Sequence, residues 1–163
     1  MPIFQIQTSE PESGEHAMRK RILIVEDNED VALGLTVRFA GAGFEVRSVA
    51  SAGEGLKAID LFEPELVLLD LLVPGGGGYS VLKALRRAPH TGNVPVIVMT
   101  GLEDKEYKDR IRALGVNAFL EKPCDPDRLM TMTRELLDIA PRIEERILVK
   151  TRARRGTGAS IER

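Results

Sequence analysis

The chain has 163 residues, 43% hydrophobic and 29% charged, with a net charge of −2; this is the balance of a soluble globular protein, long enough to bury a core without disulfide or metal staples. A single cysteine, Cys124, excludes an intrachain disulfide and any zinc spacing, and leaves the cytoplasm as the expected compartment. No apolar run approaches the ~20 residues of a spanning helix, the opening segment lacks a secretory apolar stretch, and the near-neutral total argues against a nucleic-acid-coating protein.

The charge is uneven. Residues 142–163 carry seven bases and three acids, which leaves the preceding body at −6. Residues 1–18 are polar, with three glutamates among Pro, Ser and Gly, and read as a mobile arm. A first strand is expected at Arg21-Ile22-Leu23-Ile24-Val25 and ends in acids. Val31, Leu35 and Phe39 follow at helical spacing until Gly41-Ala42-Gly43 stops the helix. Phe44 to Val49 reads as a second, weaker strand. Ser51 and Glu54 form a capping box for a helix whose face is Leu56, Ile59 and Phe62.

Leu66 to Leu69 is a third strand, 94–99 a fourth, and Ala118-Phe119-Leu120 a short fifth. Helical patterns between them run through Val81, Leu82 and Leu85, and through Tyr107, Ile111 and Leu114. Thr100 with Glu103 fits a further capping box. The last helix has Asp125 as N-cap, Pro126 at its first position, and Leu129, Met132 and Leu136 as its face. Beyond Pro141 a basic tail follows, either an extension of that helix or a disordered linker; at 22 residues it is too short for a DNA-binding domain.

Strand and helix thus alternate five times, and the strands read as apolar throughout, as when helices cover both faces. The expected fold is α/β: a doubly wound, five-stranded parallel sheet in the flavodoxin-like order 2-1-3-4-5. In such sheets the chemistry lies at the carboxyl ends of the strands. Glu26-Asp27, Asp70, Thr100 and Glu121-Lys122-Pro123 stand there. Three converging carboxylates repel one another unless a cation is present, and an all-oxygen donor set with few protein ligands suits Mg²⁺. A carboxylate nucleophile, a metal site, the Lys122 charge and the Thr100 hydroxyl together suit phosphoryl transfer.

These residues resemble the receiver domain of response regulators, the CheY-like phosphoacceptor module of two-component signalling. The resemblance rests on Glu26-Asp27 after the first strand, Asp70 with Pro74 and Gly78 behind it, Thr100-Gly101, and Lys122-Pro123, and covers residues 20–140. It implies that Asp70 accepts a phosphoryl group from a histidine kinase or histidine phosphotransfer protein. It implies that Asp27, Asp70 and the Leu72 carbonyl ligate Mg²⁺, with Glu26 assisting through water. Lys122 and Thr100 would contact the phosphoryl group, and Phe119 would be the aromatic switch. The Lys122-Pro123 peptide would be cis. Such a protein is a signalling phosphoacceptor rather than an enzyme, acting on a downstream protein target, with a homodimer left open and nucleic acid and membrane insertion not expected.

Blander readings stand beside these. Glu29 and Asp30 are acids favoured at a helix N-terminus. The four glycines from Gly75 to Gly78 lack the Lys-Ser/Thr of a phosphate loop and read as a flexible turn, more mobile than the family's usual loop. His16 and His90 read as surface residues, Cys124 as packing, and Phe39, Phe44 and Phe62 as core. The division expected is an arm at 1–18, a receiver domain at 19–140 and a tail or linker at 141–163. One alternative is a receiver fragment of a longer regulator. Another is a flavin-binding protein of the same fold, for which the acids after the first strand stand where a Ser/Thr-rich loop would be needed.

Overall fold

A computed structural model describes residues 18–138. Five parallel strands, β1 (Arg21–Val25), β2 (Glu45–Val49), β3 (Leu66–Asp70), β4 (Val96–Thr100) and β5 (Ala118–Glu121), form one sheet in the order β2-β1-β3-β4-β5. Five helices alternate with them: α1 (Glu29–Gly41), α2 (Ala52–Phe62), α3 (Gly77–Arg87), α4 (Lys105–Ala113) and α5 (Pro126–Leu136). The expected fold and strand order are therefore present. The arm before residue 18 and the tail beyond 138, with His16, lie outside the described residues.

The alternation of side chains along a strand splits the core in two. Leu23, Val25, Val67, Leu69, Val96 and Val98 face α2, α3 and α4, meeting Ile59, Phe62, Val81, Leu82, Leu85 and Ile111. Ile22, Ile24, Leu66, Leu68, Ile97 and Met99 face α1 and α5, meeting Phe39, Leu129 and Met130. The central strands β3 and β4 are buried along their whole length, which explains their unbroken apolar runs. The edge strand β2 is not apolar throughout, because Glu45, Arg47 and Ser48 face solvent. β4 begins at Val96, two residues later than its apolar run.

Two helix faces differ from expectation. In α1 only Phe39 is fully buried; Val31, expected inward, is exposed. In α2 the buried side is Ala52, Gly55, Ala58, Ile59 and Phe62, while Leu56 turns outward. Small residues let α2 sit close to the sheet: a Cβ on Gly55 would already meet Val25 and Val81 at 3.4 Å. The Ser51 cap is as expected, its Oγ accepting from the Glu54 N–H while the Glu54 carboxylate accepts from the Ala50 N–H. The Thr100 cap is not: Asp104 caps α4 by accepting from the Tyr107 N–H, because β4 continues through Thr100.

α4 buries only Ile111 fully. Its C-terminal end is fastened by Arg86 of α3, whose guanidinium donates to the carbonyls of Leu114 and Gly115 after α4 and of Gly92 and Val94 before β4.

Candidate functional site

The carboxyl ends of β1 and β3 lie side by side, Val25 pairing with Leu69, and each runs directly into its acids. Glu26 and Asp70 are buried at 1% and 4% exposure, whereas Asp27 is exposed. One carboxylate oxygen from each of Glu26, Asp27 and Asp70 lies within 4.8 Å of the others. Lys122, at the end of β5, reaches into this group. Its Nζ is 2.5 Å from Glu26 Oε2 and 2.6 Å from Asp70 Oδ2.

The second oxygens of the buried acids are held by backbone. Glu26 Oε1 accepts from the Asn28 N–H at 3.1 Å, and Asp70 Oδ1 from the Leu72 N–H at 3.0 Å. Burial pulls the Lys122 ammonium toward its neutral form, but the hydrogen bonds and charges of Asp70 and Glu26 outweigh this and leave its pKa above the ordinary lysine value. Three carboxylates and one ammonium leave two negative charges in an all-oxygen cluster. That donor set fits a small divalent cation such as Mg²⁺.

The loop after Asp70 explains its glycines individually. A Cβ on Gly78 would stand 2.7 Å from the Asp70 carbonyl oxygen and 2.9 Å from Leu71 Cα, so only glycine lets α3 start against the end of β3. Gly75, Gly76 and Gly77 all have positive φ, which makes the turn a sequence of conformations that glycine adopts without strain. Leu72 is 57% exposed beside the cluster.

Thr100 is buried at the end of β4, and its Oγ1 accepts from the Leu102 N–H at 3.1 Å. Phe119 lies half-buried in β5 with the Arg112 guanidinium 4.7 Å above its ring. A cleft of about 430 Å³ joins the two, lined also by Cys124 and by the bases Lys108, Arg112 and Arg128. The Lys122–Pro123 peptide is cis. Asp70, Glu26, Asp27 and Lys122 are thus brought together, and Thr100 and Phe119 share the adjoining cleft. Sequence reasoning missed the direct Lys122–Glu26 pair and the role of Asn28, which caps α1 by accepting from the Val31 N–H. The Asn at the start of an acid-rich helix was the available signal for the cap; a pairing across 96 residues has no local signal.

Residues 22–134 match the family model described as the response regulator receiver domain. The DNA-binding response regulator MtrA of Mycolicibacterium smegmatis is 34% identical over 122 residues, 74% of this chain and 51% of that protein. The DNA-binding dual master transcriptional regulator RpaA of Synechocystis is 29% identical over 127 residues, 77% of this chain and 52% of that protein. The chain spans about half the length of the curated relatives it matches. Among solved structures, the CheY-like receiver domain protein from Methanospirillum hungatei superposes with a TM-score of 0.68 at 32% identity, over 74% of this chain and 94% of that one. The signal receiver domain of a signal transduction histidine kinase from Syntrophus aciditrophicus gives 0.68 at 30% identity, over 73% and 90%.

Proposed function

The chain belongs to the response regulator receiver family, and on that premise we propose that Asp70 is the residue through which it receives a phosphoryl group from a phosphohistidine. The donor is a histidine kinase or a histidine phosphotransfer protein. The observation that carries this reading is the hold on the Asp70 carboxylate: Lys122 on Oδ2, the Leu72 N–H on Oδ1, and Glu26 and Asp27 beside it.

An Asp70 oxygen attacks phosphorus as the bond to the donor's imidazole nitrogen breaks, and the imidazole leaves. Asp27, Asp70 and the Leu72 carbonyl would hold Mg²⁺, with Glu26 assisting through water. The ion supplies charge neutralisation for the phosphoryl oxygens. Lys122 moves its donor from the Asp70 carboxylate to a phosphoryl oxygen, and Thr100 offers its hydroxyl proton to another. Modification adds charge and acceptor oxygens at Asp70, so Thr100 and Lys122 gain partners in one of two conformations. Phe119, in the cleft it shares with Thr100, turns inward as Thr100 moves and reports the change to α4, β5 and α5.

The same chemistry allows self-phosphorylation by small phosphodonors and hydrolysis of the product. The module spans residues 19–140, works in the cytoplasm, and acts on a downstream protein target rather than on nucleic acid. A second reading is a receiver portion of a longer regulator with the tail at 141–163 as linker, favoured by the half-length coverage of MtrA and RpaA. The mass of the natural gene product, isolated from its own cells, separates the two.

The test is phosphotransfer from acetyl phosphate or beryllofluoride binding with Mg²⁺, followed by hydrogen exchange. We expect protection changes across 103–121 and α5. No uptake at Asp70, or uptake at full rate in EDTA, would sink this reading.

A further inference from the structure

Gly75, Gly76 and Gly77 follow Asp70 closely, all with positive φ, and Gly76 at the N-cap of α3 has no side chain with which to cap that helix. Glycine loses more backbone freedom on ordering than any other residue. Whatever orders this loop therefore steadies Asp70 and Leu72 just ahead of it.

Three elements tether the loop. From α2, the Ala52 N–H donates to the Pro74 carbonyl at 2.9 Å. From α3, the Ser80 hydroxyl donates to the Gly77 carbonyl at 2.8 Å, and the Gly78 N–H donates to the Leu71 carbonyl at 3.0 Å. The third tether comes from α4. A Cβ built on Gly77 would stand 3.1 Å from the Leu71 carbonyl oxygen and 3.8 Å from the Tyr107 hydroxyl oxygen. The tip of Tyr107 and the Leu71 main chain thus both face the bare side of Gly77, and Leu71 is the residue between Asp70 and Leu72. Tyr107 does not reach across from a loose element. Its side chain packs on the core that also buries Ile111, and the Arg110 guanidinium lies 5.4 Å over the Tyr79 ring of α3.

We propose that Tyr107 is a positioning residue for the cation site. It props Gly77 and, through it, the Leu71 main chain, so that the Asp70 carboxylate and the Leu72 carbonyl are in place before the cation arrives. This rests on the functional reading above, in which those two groups ligate Mg²⁺. Order supplied in advance need not be supplied at the binding step, so the prop raises affinity without touching the ion. It leaves the chemistry of Asp70 as it is.

The test is Mg²⁺ affinity, read as the rise in urea midpoint of the full chain with Mg²⁺ concentration. Tyr107→Ala should raise the apparent Kd about fivefold, the low end of coupling between linked sites, and Tyr107→Phe should fall between it and the native chain. Ile111→Val loosens the seat of α4 without touching the loop, so it should lower the midpoint yet leave the Kd within about twofold. Phosphate uptake from acetyl phosphate by Tyr107→Ala should be slow at low Mg²⁺ and native at saturating Mg²⁺. The chain has two tyrosines and no tryptophan, so in Tyr79→Phe the tyrosine emission belongs to Tyr107 alone and should change as Mg²⁺ binds. A native chain whose midpoint ignores Mg²⁺ overturns the functional reading and this proposal with it. If the native chain does bind Mg²⁺, an equal Kd in Tyr107→Ala overturns this proposal alone. So does an equal weakening in Ile111→Val, uptake that stays slow at saturating Mg²⁺, or unchanged emission in Tyr79→Phe.

Discussion

Lys122 Nζ stands 2.6 Å from Asp70 Oδ2, joining the end of β5 to the end of β3 across the intervening β4. The same ammonium holds Glu26, whose side chain is wholly buried. Removing it leaves two buried carboxylates without their counter-charge. Lys122→Ala should therefore destabilise the fold by about 3 kcal/mol at neutral pH, read as a lower urea midpoint. The folded-state pKa of Lys122 is raised, so the stability carried by its charge is complete below the ordinary lysine value and is lost as pH rises through the higher folded one. The gap between native and variant should close in strongly alkaline buffer. A midpoint unchanged at neutral pH contradicts the pairing.

Asp70→Asn keeps the shape of the proposed nucleophile and removes its chemistry. Incorporation of phosphate from acetyl phosphate should fall at least a hundredfold, about 2.7 kcal/mol or more in barrier. Asp27→Ala should abolish incorporation as well, while leaving the urea midpoint equal or higher, since an exposed acid that repels its neighbours is removed. Undiminished labelling of either variant on a phosphate-affinity gel would refute its assigned role.

Gly78→Ala tests the backbone beneath Asp70. Its Cβ would overlap the Asp70 carbonyl oxygen and Leu71 Cα, and backbone gives way less readily than a side chain. A loss of about 1–3 kcal/mol is expected, together with slower phosphorylation because the carboxylate shifts with its own main chain. Gly53→Ala, which meets open space on α2, should be neutral or stabilising by up to about 1 kcal/mol. Equal behaviour of the two variants would contradict the contact.

Cys124 gives a pH readout of the cluster. Burial raises its thiol pKa, Lys122 lowers it, and Glu26 and Asp70 raise it, for a net upward shift. Iodoacetamide should react at pH 8 more slowly than with a free cysteine. Asp70→Asn removes a raising charge and should move the alkylation profile to lower pH. Lys122→Ala should move it to higher pH. Opposite displacements would refute the electrostatic account.

Leu72 and Leu102 stand two residues after Asp70 and Thr100, and neither side chain can hydrogen-bond an attacking water. Given phosphorylation at Asp70, positioning of that water is lost, and the phosphorylated state should be long-lived. Leu72→Asn combined with Leu102→Glu should accelerate phosphate loss about tenfold, the equivalent of ~1.4 kcal/mol. Equal half-lives without a phosphatase present would refute it.

The sheet was legible because β1, β3 and β4 are apolar runs that end abruptly in Glu26, Asp70 and Thr100, and an acid after four buried residues has few structural uses. Helix faces were less so. In α1, Val31, Leu35 and Phe39 are as well spaced as Leu33 and Val37, and periodicity cannot choose between two apolar sides. In α2 the large Leu56 drew attention away from Gly55 and Ala58, whose smallness is what permits close packing. Thr100 and Asp104 are both good caps; the length of β4 decided between them, and length is a property of the whole sheet. The Lys122–Glu26 pair depends on two chain ends meeting in space, which no local pattern encodes.

Arg86 fastens the C-terminal end of α4 to the loop before β4 through four carbonyl oxygens, while along the helix itself Ile111 is the one fully buried side chain, with Tyr107 partly packed on the same core and Lys108 paired with Glu121. A rod fixed at one end swings and does not slide. Given the proposed switch at Asp70, displacement along α4 should grow from near zero at Leu114 to its largest value at Asp104, four residues from Thr100. On the proposed function, the amplitude of the outgoing signal would be set by leverage, with the fulcrum at the end remote from Asp70.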